Sequence, residues 1–105
     1  MAQFIKIAQR GDIPEGGGKT IQVGSRALAL FQSGGRFYAI DNACMHQRGP
    51  LGEGEVYGTR VICPWHGWEY DFSTGSNVDD PSMKLTCFAV KLQGDDVLIE
   101  IQSPD

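Results

Sequence analysis

The sequence is short of histidine, of positive charge and of long apolar runs. Its two histidines are His46 and His66, so any site built on imidazole must be built there. Nine Lys and Arg against thirteen Asp and Glu leave a net charge of −4. That balance excludes nucleic acid as a partner, because neutralising phosphates requires a basic surface. The densest acidic spots, Asp79-Asp80 and Asp95-Asp96, read as solvated surface, with steering of a basic patch on a partner protein as the alternative. No apolar run is long enough to cross a bilayer, so no membrane partner is expected. The opening Met1-Ala2-Gln3-Phe4-Ile5-Lys6 lacks a basic stretch followed by an apolar one; no secretory signal is expected, and the chain is expected to be cytoplasmic. Three cysteines are an odd number, which argues against a disulfide framework and leaves metal binding or buried thiols.

Helical periodicity is missing as well. Fourteen glycines in 105 residues is nearly twice the ordinary share of about 7%, which favours short strands and tight turns. Phe4–Ala8 reads as a first strand and Asp12–Lys19 as a loop. Thr20–Val23 and Arg26–Phe31 flank a Gly24-Ser25 hairpin signal, and Ser33-Gly34-Gly35 turns the chain into Arg36–Ile40. Thr59–Ile62 and Trp68–Phe72 are further strands, followed by a turn at Ser73–Ser76 and an irregular loop at Asn77–Met83. Lys84–Leu92 and Val97–Ile101 complete a set of about eight strands. The expectation is a single all-β domain over residues 1–105, an antiparallel barrel or stacked sheets.

The chemistry lies in two arms. Cys44-Met45-His46 offers one thiolate and one imidazole, and sixteen residues later Cys63-Pro64-Trp65-His66 offers the same pair. Soft and borderline donors in this combination suit a transition metal. Two arrangements fit: a tetrahedral zinc site, or a binuclear iron–sulfur cluster in which two Cys hold one iron and two His the other. Zinc fingers usually group Cys with Cys and His with His, whereas each arm here carries one of each, which favours the cluster. With two ferric ions, two sulfides, two thiolates and two neutral imidazoles, the oxidised cluster is formally neutral. It therefore accepts an electron more easily than an all-Cys cluster, within a range of about −150 to +300 mV. Gly49-Pro50 bends the chain after the first arm, and Gly67 permits a positive φ after the second.

Cys44-Met45-His46 with Cys63-Pro64-Trp65-His66-Gly67-Trp68 resembles the pair of ligand boxes of Rieske proteins. Asp12–Gly16, Ala39–Asn42, Pro50-Leu51 and Thr74-Gly75 are similar to small Rieske ferredoxins, so the likeness covers almost the whole chain. The resemblance implies a Rieske fold, with three antiparallel β-sheets and a small cluster-binding subdomain at the tip, residues 43–71. It implies one 2Fe-2S cluster, with Cys44 and Cys63 on the inner iron and His46 and His66 on the outer. Around the cluster it places Met45, Trp65 and Trp68 as partial shielding, and Pro81 in a proline loop on a third side. Cys87, within Leu85–Val90, reads as an inert buried thiol, and Arg48 as a surface residue that could guide a partner.

Departures from other branches narrow the expectation. Where the respiratory and photosynthetic branch carries an extra, bridged Cys in each box, this chain has Gly49 and Trp65. Where that branch has a Ser bonding a sulfide, this chain has Trp68, although Tyr70 matches its Tyr. Fewer donors stabilise the reduced cluster less, so a potential near the low end of the range is expected. The boxes also look like those of oxygenase large subunits, but a mononuclear iron there takes two further His that this chain lacks. The resemblance thus implies a monomeric one-electron carrier rather than an enzyme, serving between a flavin-containing NAD(P)H reductase and a terminal oxygenase. A non-redox accessory module, such as the small subunit of nitrite reductases, and a zinc-stabilised interaction domain are the alternatives.

Overall fold

The computed structural model describes residues 2–24, 26–42, 49–65 and 67–102. Within them run β1 (Ala2–Gln9), β2 (Gly17–Val23), β3 (Arg26–Ser33), β4 (Arg36–Asp41), β5 (Glu55–Tyr57), β6 (Arg60–Ile62), β7 (Glu69–Asp71), β8 (Ser76–Asn77), β9 (Cys87–Phe88), β10 (Val90–Gln93) and β11 (Asp96–Gln102). Two 3-10 turns, Arg10–Asp12 and Leu51–Glu53, are the helical elements among the described residues. The strands form three antiparallel sheets, ordered β1-β11-β10, β2-β3-β4-β9 and β5-β6-β7-β8. The expected all-β, three-sheet architecture is what the chain adopts.

The second sheet is the middle layer, and β3 explains why. Leu28, Ala29, Leu30 and Phe31 are all fully buried. Side chains alternate across a strand, so Leu28 and Leu30 join Phe37 and Ala39 against Ala8, Val97 and Ile99 of the first sheet. Ala29 and Phe31 face the other way, with Ile40, against Val61 and Tyr70 of the third. A continuous apolar run is the signature of a strand covered on both faces. Phe31 stacks on Phe72 with centroids 4.4 Å apart and planes 11° from parallel, and Tyr38 leans on Phe72 at 5.2 Å. These rings tie the middle sheet to the end of β7.

Turn chemistry supports the layers. Gly34 and Gly35, with φ of 63° and 78°, make the two-residue β3–β4 hairpin, which needs positive φ at both positions. Glu15 accepts both of their N–H groups, at 2.6 and 3.0 Å, fastening the β1–β2 connection to the hairpin.

Four expectations need correction. There are eleven strands among the described residues rather than about eight. Gly17, Gly18 and Lys19 belong to β2, not to the preceding loop, pairing with Gln32, Phe31 and Leu30 of β3, and a β-carbon at Gly18 would collide with the Phe31 ring. Lys84–Leu92 is not one strand: Cys87–Phe88 pairs with β4 while Val90–Gln93 pairs with β11, so the chain changes sheets at Ala89. Cys87 is consequently exposed rather than buried, since β9 is the edge of its sheet. Its sulfur nevertheless packs toward Gly75, where a β-carbon would come within 2.8 Å of it. Partial burial pushes the thiol up, Asp71 and Asp41 add to the rise, and Lys84 opposes it.

Candidate metal centre

The second arm is the loop of the β6–β7 hairpin. Ile62 pairs with Glu69, and the next step of the ladder closes the loop: Cys63 N–H donates to Trp68 C=O at 2.7 Å. Gly67 N–H donates to Cys63 C=O at 3.0 Å. Gly67 sits at φ 76°, a conformation a β-carbon would strain, so glycine is what lets the chain turn back in so few residues. The Cys63 side chain is 2% exposed and belongs to the core between the second and third sheets. His66 lies outside the described residues.

The first arm leaves the end of β4 at Asn42. Cys44, Met45, His46 and Arg48 lie outside the described residues, but both ends of the arm are defined. Asn42, 8% exposed, accepts Leu51 N–H on its backbone oxygen and Gly52 N–H on its side-chain Oδ1, each at 2.8 Å. The same Oδ1 accepts the Thr20 hydroxyl at 3.1 Å, and Asn42 N–H donates to Ala27 C=O at 3.2 Å. The described ends of the arm, Asn42 and Leu51-Gly52, are thus joined to each other and to β2 and β3.

The arms meet at Gly49. A β-carbon there would stand 2.7 Å from Cys63 Sγ and 3.1 Å from Trp65 Cγ. Positions 49 and 65, where the bridged branch carries its extra cysteines, therefore do face each other across the seam, and here they hold Gly and Trp. No group of three metal-capable side chains occurs among the described residues, three of the four expected donors lying outside them. What is described fits a cluster: a thiol walled off from water, on a loop pinned at its base, lies at the seam with the other arm. A soft donor needs that arrangement if water is not to compete for the metal.

The neighbouring residues take different places. Trp65 is 58% exposed, a broad aromatic surface beside the seam. Trp68 is half-buried against the core, and Tyr70 is fully buried within it. Pro81 is exposed on the loop that follows β8. Asn77, 5% exposed, holds that loop: its N–H donates to Met83 C=O at 2.8 Å, and its Oδ1 accepts Asp79 and Asp80 N–H, each at 2.9 Å. Val78 N–H donates to Glu69 C=O at 2.9 Å, which brings the loop alongside the second arm. An open cavity of about 300 Å³ lies between them, lined by Trp68, Asn77, Asp79, Asp80 and Met83.

Asn42 and Asn77 are the two buried polar side chains among the described residues, and each closes a loop beside the site. Sequence reasoning assigned neither a role. Asn77 carried a signal, since an Asn accepting from residues two and three places on is a recognised turn former. Asn42 carried none, because its partners Gly52 and Thr20 are ten and twenty-two residues away.

The family model described as the Rieske [2Fe-2S] domain matches residues 3–89. The ferredoxin component of the naphthalene 1,2-dioxygenase/salicylate 5-hydroxylase systems of Ralstonia sp is 30% identical over 100 residues, covering 94% of this chain and 96% of that protein. A chain in the complex of reduced oxygenase and oxidised ferredoxin of carbazole 1,9a-dioxygenase superposes with a TM-score of 0.82 at 28% identity, over 91% of each chain. The Sphingomonas yanoikuyae B1 ferredoxin superposes with a TM-score of 0.86 over 95% of this chain and 100% of that one, and at 24% identity speaks to the fold alone.

Proposed function

The chain belongs to the Rieske [2Fe-2S] domain family, and from that we propose that it is a soluble one-electron carrier of the ferredoxin type. Its cofactor is one Rieske-type 2Fe-2S cluster. Cys44 and Cys63 would hold one iron, and His46 and His66 the other, within a cluster-binding subdomain of residues 43–71. When bound, the cluster supplies a site that takes up and releases a single electron. The protein's part is to hold and to exclude. The Cys63–Trp68 and Cys63–Gly67 bonds fix the second arm, and the core around Cys63 keeps water from its sulfur. Met45, Trp65, Trp68 and Pro81 would wall the site, and Tyr70 would support it from below.

The observation that carries this reading is coverage. The chain spans 96% of a relative named as a ferredoxin component, with 30% identity over 100 residues. Both of its histidines lie in the ligand arms, so none remains to hold a second, oxygen-activating iron. As the family resemblance implies, the electron would come from a flavin-containing NAD(P)H reductase. It would go to a terminal aromatic-ring-hydroxylating oxygenase, with the carrier a cytoplasmic monomer. No helix among the described residues is long and apolar enough to cross a membrane. The potential would be at the low end of the Rieske range, since Gly49 and Trp65 form no bridge and Trp68 offers no hydroxyl to the cluster.

Purification and spectroscopy test the reading. The expected protein is red-brown, contains iron and sulfide, and gives an electron paramagnetic resonance signal when reduced. A redox titration should place its midpoint below zero. A colourless protein containing zinc would overturn the assignment, and a midpoint well above zero would overturn its low-potential part. Single-turnover mixing of the reduced carrier with an oxygenase of this class should reoxidise it.

A further inference from the structure

Asn42, Thr20 and Gly52 form a joint at the foot of the first arm. Asn42 Oδ1 takes the Gly52 N–H at 2.8 Å and the Thr20 hydroxyl at 3.1 Å. Gly52 is pressed so closely against β2 that a β-carbon on it would lie 2.6 Å from both Thr20 N and Thr20 Oγ1. The backbone of Asn42 completes the joint, accepting Leu51 N–H at 2.8 Å and donating to Ala27 C=O at 3.2 Å. One buried residue therefore ties the two ends of the arm to β2 through its side chain and to β3 through its backbone. The joint stands two residues from Cys44, and three from Gly49, the residue that meets the Cys63 sulfur.

Resting on the reading above, we propose that Asn42 is a positioning residue for the cluster, its carboxamide fixing where the first arm carries Cys44 and His46 relative to Cys63. The physical argument is one of alternatives. Without the carboxamide oxygen, Gly52 N–H is left without an acceptor in a buried place, and the cheapest relief is to let the Leu51–Gly52 turn lift from β2. Lifting the exit of the arm moves the arm itself, because the entry and exit are bonded to each other. A neutral acceptor is the appropriate group here: it takes both donors without adding a buried negative charge near thiolate ligands.

The experiment uses the cluster-loaded protein and three variants, Asn42→Ala, Thr20→Val and Val97→Ala. Val97→Ala truncates a fully buried side chain in the core between the first and second sheets, away from the proposed ligands. Cluster loss on challenge with an iron chelator is followed by the decay of visible absorbance, and the reduced protein is examined by electron paramagnetic resonance. Asn42→Ala should lose its cluster about tenfold faster than the unaltered protein, the lower end of what removing an outer-shell partner costs. It should also show displaced g-values. Thr20→Val, which keeps the Gly52 bond, should fall between, and serves if Asn42→Ala does not fold. Val97→Ala should leave the g-values in place. The proposal is overturned if Asn42→Ala, or in its absence Thr20→Val, matches the unaltered protein in both measurements, or if Val97→Ala displaces the g-values equally. If the unaltered protein itself holds no iron and gives no such signal, the carrier reading falls and this inference falls with it.

Discussion

The backbone of Gly49 lies so close to the sulfur of Cys63 that a β-carbon at position 49 would stand 2.7 Å from it. The two ligand arms touch at that point, and glycine is the residue that lets them. Trp65, also within reach of such a carbon, is 58% exposed and free to swing away. Cys63 cannot follow, because its N–H and C=O are both committed to Trp68 and Gly67 and its side chain is in the core. Gly49→Ala should therefore displace the sulfur. Overpacking of this kind costs about 1–3 kcal/mol, and it acts on a ligand. The variant should unfold at lower urea and hold less iron and sulfide per chain; a full complement with an unchanged spectrum would contradict the close approach.

Removing the sulfur itself is the sharper comparison. Cys63→Ser offers a poorer donor to iron in the same loop, so the variant should be purified colourless. Lys91→Ala is its counterpart on the far sheet, where the ammonium lies 5.5 Å from the Phe4 ring centroid. An exposed cation–ring contact is worth about 0.5–1 kcal/mol, so that variant should keep its colour and its signal. Iron analysis of the two preparations side by side decides the matter.

Much of this could be read before the fold was known, and the limits have physical causes. The ligand arms are local patterns, complete in a few residues each. Arg26–Phe31 reads as a strand from its residues alone, but the cover on both of its faces is supplied by the first and third sheets. Lys84–Leu92 misleads because pattern reports burial and not pairing partner. Within it the backbone passes from pairing with β4 to pairing with β11, and Cys87 is left at an edge. Gly17-Gly18 misleads in the opposite direction: glycine is depleted in strands generally, yet here it is the residue that leaves room for Phe31. The Asn42 joint is unreadable in sequence because its hydrogen bonds span turns whose closure only the folded sheets determine.

The Phe31–Phe72 stack should account for a large part of the stability of the core shared with the metal arms. Phe72 is 1% exposed and stands directly after β7, with its N–H bonded to Thr59 C=O at 2.8 Å. Phe72→Ala should cost about 3–5 kcal/mol, a substantial fraction of the roughly 5–15 kcal/mol available to a domain of this kind. Phe4→Ala, at a ring 40% exposed on the first sheet, should cost well under half as much. Urea denaturation of both metal-free variants measures the difference, and equal losses would refute the layered core.

Asp71 gives the fold a predictable response to acid. Burial pushes its carboxyl up, but the side-chain and backbone hydrogen bonds from Ser73, a bond from Thr59 and the charge of Arg60 together outweigh burial, so the group titrates below its ordinary value of 3.8. Ser73 N–H and Oγ reach it at 2.9 and 2.6 Å, closing the turn after β7. A carboxyl with a depressed folded pKa contributes stability that is present above the unfolded value and lost as pH falls through the folded one. Asp71→Asn should accordingly melt at a lower temperature than the unaltered protein at neutral pH. The gap should narrow as pH falls past 3.8 toward the lower folded value, where the unaltered protein is itself protonated. Paired thermal melts across that range test the sign: a gap that widens in acid would mean the carboxyl is raised rather than lowered in the folded chain.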